Sequence, residues 1–204
     1  MSESKPSRRI MAFNRITPEG FFATPEGALD WAVPDDEIDG RAASASAAGR
    51  GTLLFGRRTY QMFESFWPHA LDDPHAAPDP HRPGRKSENL RAMGTFINEA
   101  EKVVFSRTLK EVTWNNTRLV REFTPAVILS LKQQPGRDIL IFGSGSITSL
   151  LTEHGLIDEY QFVVNPTFLG RGRPLFEGVT RRRPLRLLEA KGFSSGNVVL
   201  RYGI

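Results

Sequence analysis

Residues 138–148 read Asp-Ile-Leu-Ile-Phe-Gly-Ser-Gly-Ser-Ile-Thr, an apolar run that breaks at two glycines and resumes with helical spacing. The run predicts a buried strand. Beyond it, Ile147, Leu150, Leu151 and His154 at i, i+3, i+4 and i+7 predict a helix that Gly155 stops. A strand that passes straight into a helix through Cβ-free backbone points to the α/β class. It also aims the first, unpaired N–H groups of the helix at whatever lies beyond the strand end. A phosphate is one group that such a terminus holds. A tight turn with no ligand accounts for the same glycines. The dinucleotide fingerprint G-x-G-x-x-G needs glycine where Thr148 stands, so this turn departs from that pattern.

The same unit occurs earlier. An apolar stretch at 52–55 meets Gly56, and the following residues place Tyr60, Phe63 and Phe66 on one helical stripe. Upstream, Ile10 to Ile16 alternates as a first strand, and Thr17-Pro18-Glu19-Gly20 ends it in a turn. Acidic residues 35–37 suit the first turn of a helix running through the alanine-rich segment 41–48. A helix over 88–100, a strand over 102–105 and a short strand over 115–120 come next. Thr124 caps a helix that ends before Pro135-Gly136. Segments 158–167, 185–190 and 198–202 follow as strands without helices between them. This order predicts a three-layer α-β-α domain: a mostly parallel sheet with antiparallel strands on its C-terminal edge. Residues 1–9 read as a disordered tail and 10–204 as a single domain. Segment 68–85, rich in proline and histidine, reads as a surface excursion.

Composition removes several chemistries. Cysteine is absent, which excludes disulfides, thiolate nucleophiles and cysteine-held metals, and suits a cytoplasmic protein. Apolar runs of about eight residues fall far short of the roughly 20 that span a bilayer, so no membrane role is expected. The 27 Lys and Arg against 23 Asp and Glu leave +4, too small an excess to demand nucleic acid. His69, His75 and His81 lie in the proline-rich segment without acidic partners at regular spacing, and no metal is expected there. The run Arg181-Arg182-Arg183 reads as a solvated turn.

Six motifs in order carry a family resemblance. They are Phe55-Gly56-Arg57-Arg58-Thr59-Tyr60, Phe105-Ser106-Arg107-Thr108-Leu109, Trp114-Asn115-Asn116, Ile141-Phe142-Gly143-Ser144-Gly145-Ser146, Asp158-Glu159-Tyr160, and the stretch from Pro166 to Phe176. From about Ile10 onward the chain resembles the small proteins similar to the C-terminal reductase domain of the bacterial riboflavin-synthesis enzyme, within the dihydrofolate reductase fold. The resemblance implies an eight-stranded sheet, bound NADPH and a homodimer. It assigns Gly56, Arg57 and Thr59 to a turn that grips cofactor phosphates. Ser106, Arg107 and Thr108 match a second contact, suited to the adenosine 2′-phosphate through charge-assisted hydrogen bonds. Gly143, Ser144, Gly145, Ser146 and Ile147 match a glycine turn on the pyrophosphate and nicotinamide side.

On the acceptor side, family members carry Ser-Leu-Asp-Gly where this chain has Thr17-Pro18-Glu19-Gly20, one methylene longer at the carboxylate. Glu19 and Asp30 are the candidate catalytic groups, orienting an acceptor or relaying a proton. Trp31, and Trp67 within Phe66-Trp67-Pro68, are candidate walls of the acceptor cleft. The implied reaction is hydride transfer from NADPH to a small pyrimidine or pterin-like ring, for which the cofactor carries the chemistry. The alternative is an NADPH-binding dimer of weak catalytic power, acting as a sensor. The zinc deaminase that accompanies the reductase in the riboflavin enzyme needs a P-C-x-x-C element, which a cysteine-free chain lacks.

Overall fold

A computed structural model describes residues 7–46, 51–80 and 82–204. Eight strands form one sheet: β1 (Ile10–Ile16), β2 (Thr52–Gly56), β3 (Glu101–Phe105), β4 (Thr117–Val120), β5 (Ile139–Phe142), β6 (Glu159–Val164), β7 (Arg186–Gly192) and β8 (Val198–Gly203). Their spatial order is β7-β8-β6-β1-β5-β2-β3-β4. The six strands from β6 to β4 run parallel, and β8 and β7 close one edge antiparallel. Five helices complete the layers: α1 (Asp36–Ser46), α2 (Arg57–Phe66), α3 (Glu88–Glu99), α4 (Pro125–Gln133) and α5 (Gly145–Glu153).

Alternation along the central strands divides the core. On β2, Leu53 and Phe55 join Tyr60, Trp67, Leu90, Phe96 and Ile97 on the α2 and α3 side. The intervening Leu54 joins Ile128, Leu131, Ile147 and Leu151 under α4 and α5. Both faces are covered, which is why all five residues of β2 are buried. A smaller cluster of Ile38, Val163 and Val199 seats α1 over the antiparallel end. Helix starts follow the expected chemistry. Ser87 and Thr124 accept the amides of Leu90 and Val127, and Pro125 occupies the first turn of α4, where its missing N–H costs nothing.

Two expectations change. Residues 1–6 lie outside the described residues, but Arg8 is buried. It donates to the Arg137 carbonyl and, at 2.6 Å, to the Thr52 hydroxyl, while Arg9 pairs with Asp138. The expected tail therefore docks on the sheet from Arg8 onward. Segment 68–85 is more than a surface excursion. It holds a short 3-10 turn, His69–Leu71, and a two-residue ladder between Ala77–Pro78 and Lys86–Ser87, with Ala70 and Ala77 buried. Two small side chains plugging gaps leave no period to read. The expected extension of α1 into 47–50, and His81, lie outside the described residues.

Because β1, β2, β3, β5 and β6 are parallel, the segments following them emerge along one edge of the sheet. In α/β sheets this carboxyl edge is where ligands bind. It carries residues 17–20, 57–59, 106–109, 143–147 and 165–172.

Candidate active site

Two helices begin side by side at the centre of this edge. The β2 to α2 turn places Gly56 so that its N–H donates 2.7 Å to the Ser144 hydroxyl in the β5 to α5 turn. A Cβ at Gly56 would lie 3.1 Å from the hydroxyl oxygens of both Ser144 and Ser146. Thr59 closes the contact from the first turn of α2, its methyl 4.0 Å from where Gly143 would carry a Cβ. Gly143 and Ser144 both have positive φ, 60° and 53°. The second is an uncommon conformation for a serine, held because its hydroxyl accepts the Gly56 amide and its carbonyl accepts the amides of Ile147 and Thr148. Gly145 and Ser146 open α5 with amides that have no carbonyl acceptor among the described residues.

Asn14, which the sequence reading did not single out, braces this turn. It lies on β1, 1% exposed, donates 3.0 Å to the Gly143 carbonyl and receives the Thr148 hydroxyl at 3.4 Å. A polar residue at an inward position of an apolar strand was the available signal, since such a group must find buried partners. Asn14→Ala removes the shorter donor to the Gly143 carbonyl, leaving that carbonyl and the Thr148 hydroxyl only each other, at 3.3 Å. We expect it to cost about 1–3 kcal/mol, read as a lower urea midpoint at unchanged slope.

The β2–β3 register pairs Gly56 with Phe105, so the residues after each strand, Arg57 on one side and Ser106-Arg107 on the other, flank each other. The Ser106 hydroxyl is turned inward, accepting the amides of Thr108 and Leu109. Arg121, at the end of β4, donates to the carbonyls of Leu109 and Lys110 and fixes the loop from the far side. Arg57, Arg58 and Arg107 are exposed and form no ion pair with described residues. The edge thus presents two helix N-termini and three uncompensated guanidinium groups, a positive field with nothing in the described chain to neutralise it.

The acceptor-side candidates are dispersed. The Glu19 carboxylate accepts the amides of Leu169, at 3.0 Å, and Gly170, at 2.9 Å; these bonds hold its carboxyl below the usual carboxylate range. Asp30 is exposed. Trp31 is half-buried, with a buried indole N–H that has no partner among the described residues. Trp67 does not line the cleft as expected. It is buried in the α2–α3 core against Phe63, Phe66 and the Cβ-free face of Gly94. A large aromatic after a helix satisfies a core position as readily as a cleft, and sequence cannot separate the two. In its place Phe22 approaches the site. A Cβ on Gly145 would fall 2.4 Å from the Phe22 ring, so that ring lies directly on the glycine turn.

Among the described residues no group of His, Asp and Glu could hold a metal ion, and no helix is long and apolar enough to cross a membrane. Comparison with known proteins agrees with this architecture. The family model described as RibD C-terminal domain matches residues 8–199. Two Bacillus subtilis (strain 168) proteins are similar over nearly their whole length. YyaP is 27% identical over 99% of this chain and 98% of its own, and YwjB is 26% identical over 91% and 92%. Both are uncharacterised. A Shewanella sp. PV-4 structure named for riboflavin biosynthesis superposes with a TM-score of 0.69 at 22% identity, covering 96% of this chain and 98% of that one. The Thermotoga maritima diaminohydroxyphosphoribosylaminopyrimidine deaminase/5-amino-6-(5-phosphoribosylamino)uracil reductase gives 0.64 at 14% identity. There the match covers 97% of this chain but 56% of the larger protein. At these identities the structural matches establish the shared fold.

Proposed function

The chain belongs to the RibD C-terminal domain family, and from that premise we propose that it is an NADPH-dependent reductase of a small pyrimidine- or pterin-like acceptor. One observation carries the reading: the Gly56–Ser144 hydrogen bond sets the N-termini of α2 and α5 side by side, flanked by arginines that no described carboxylate neutralises. The residues fit a dinucleotide phosphate. Gly56 and Gly145 leave the backbone bare where a Cβ would crowd the turn, and the Gly145 and Ser146 amides await an acceptor.

When bound, the nicotinamide supplies the hydride. The protein's part is to hold it at a fixed distance and face. Gly143, Ser144, Gly145, Ser146 and Ile147 would bind the pyrophosphate and nicotinamide side, with Asn14 keeping that turn rigid. Gly56 and Thr59 complete the phosphate cradle from α2. Arg57, Arg107 and Thr108 would read the 2′-phosphate, with Ser106 shaping their loop. Phe22 lies where the glycine turn meets the acceptor space, and Asp30 and Trp31 belong to the loop following it. The homodimer is part of this proposal, supported by Leu187 and Leu188, exposed on the antiparallel edge strand, and by Leu185 just before it.

Titration with NADPH tests the reading. Saturation at about 100 Kd should add roughly 2.7 kcal/mol of thermal stability, and a cofactor that gives neither stabilisation nor fluorescence transfer refutes it. Replacing Arg57 and Arg107 with Ala should weaken NADPH roughly 10- to 100-fold for each charge-assisted hydrogen bond removed, and NADH little. Equal weakening of both cofactors would show that the 2′-phosphate is not read there. A panel of pterins and pyrimidines then seeks the acceptor by NADPH consumption.

A further inference from the structure

We infer that Glu19 is a positioning residue: its carboxylate latches the loop after β6 onto the loop after β1, fixing the wall of the acceptor space, and does not deliver the proton. β6 and β1 are adjacent and parallel, with Ile16 paired to Val164, so the two loops leave the sheet together. Both oxygens of Glu19 are engaged, one by the Leu169 amide and the other by that of Gly170. Successive amides can converge on one carboxylate because Gly170 adopts a φ of +68°.

The latch is one of several ties between the same segments. The Leu175 amide donates 3.0 Å to the Gly20 carbonyl, and Arg173 donates through two nitrogens to the Pro25 carbonyl. Phe21 packs where Gly172 lacks a side chain, a Cβ there meeting its ring carbon at 2.7 Å. Phe21–Ala23 also pairs with Arg173–Pro174 as a short antiparallel ladder. Every one of these lies on the side of residues 172–175. Residues 166–171, by contrast, project outward with Phe168 76% exposed, and past the Thr167 amide, which bonds to Asn165, only Glu19 holds their backbone among the described residues. Removing the carboxylate therefore frees the projecting half and leaves the base in place.

The geometry also separates latch from acid. A carboxylate that accepts two amides is stabilised as the anion, the opposite of what a proton donor at neutral pH requires. The charged groups on the two segments, Glu26, Arg171 and Arg173, form no ion pair with it; the two amides, joined by a hydrogen bond from the Thr17 hydroxyl, hold it as the anion.

Amide exchange in the wild-type protein without cofactor is the first test. Leu169 and Gly170 should exchange at least tenfold more slowly than their intrinsic chemical rates, and exchange at those rates would overturn the latch whatever any variant does. In E19A that protection should vanish, and tryptic cleavage after Arg171 should rise at least tenfold. E19Q, which keeps one acceptor oxygen, should fall between. Protection unchanged in a folded E19A would also overturn the proposal.

The claim about the proton rests on the proposed reductase activity. On whichever acceptor consumes NADPH, E19Q should raise KM several-fold while the alkaline limb of the kcat profile, the one a proton donor governs, stays where it is. Loss of that limb would make Glu19 the donor. Because the exchange measurements need no cofactor, failure of the latch and failure of NADPH binding are separately visible.

Discussion

On the proposed reductase reading, Gly145→Val will lower NADPH affinity at least 100-fold, the largest functional effect expected of one substitution in this chain. Gly145 is the first residue of α5, and an added Cβ would lie 2.4, 2.5 and 2.9 Å from three carbons of the Phe22 ring. Contacts that short do not persist, so either the ring or the turn must move. If the ring moves, it enters the space over the glycine turn. If the turn moves, the Gly145 and Ser146 amides lose their aim. Valine adds two methyls on the same path. Overpacking should also cost about 1–3 kcal/mol of stability. Combining it with Phe22→Ala removes the colliding ring and should restore most of that stability without restoring affinity, because bulk at the phosphate approach remains. Affinity of G145V within threefold of wild type would show that the phosphate does not approach this amide pair.

Lys102→Met will lower stability by about 3–5 kcal/mol, the largest structural effect expected, with the site itself untouched. Lys102, the second residue of β3, is fully buried, and its ammonium donates to the carbonyls of Asn98, Ala100 and Asn115 at 2.9, 2.9 and 3.2 Å. The Trp114 ring lies beneath it, 4.4 Å from Nζ to centroid. Two of the carbonyls come from the end of α3, where a helix leaves acceptors unpaired, so one cation closes that terminus and ties it to the approach to β4. Methionine fills the volume, strands the Ala100 carbonyl and leaves those of Asn98 and Asn115 with only the Asn116 side-chain amide, at 3.4 Å, and the Thr117 hydroxyl, at 3.2 Å. Burial pushes the ammonium down from 10.5 to about 8. The folded state therefore releases this proton before the unfolded state does. Below about 8 the folded state bears the full cost of the desolvated cation, and that cost is relieved as pH climbs from about 8 to 10.5. The gap between wild type and K102M in urea denaturation should accordingly be wider at pH 9.5 than at pH 7. A gap that narrows would mean that the carbonyls and the ring outweigh desolvation.

Much of the carboxyl edge was legible in the chain. Glycines at 56, 143 and 145 after apolar runs marked two strand-to-helix turns, because period and Cβ-free backbone are local properties. Pro125 after Thr124, and Gly155 after α5, marked helix ends for the same reason. Trp67 was misplaced because an aromatic residue carries no label for core or cleft. Arg8 reads as tail in the sequence because its partners, Arg137 and Thr52, are remote along the chain. Asn14 and Phe22 went unnoticed on the same ground: what they do depends on Gly143 and Gly145, which lie more than a hundred residues away.

By itself, then, the sequence determined the α/β alternation, the antiparallel ending, the ends of α4 and α5 and the two glycine turns, all of which follow from spacing within a few residues. Tertiary structure alone decided that those turns meet, through Gly56 and Ser144, and that Glu19 spends its carboxylate on the amides of Leu169 and Gly170. The reason is the sheet order. Placing β1 between β5 and β6, and β5 beside β2, brings together loops that the chain separates widely. A hydrogen bond formed across such a distance leaves no period in the sequence.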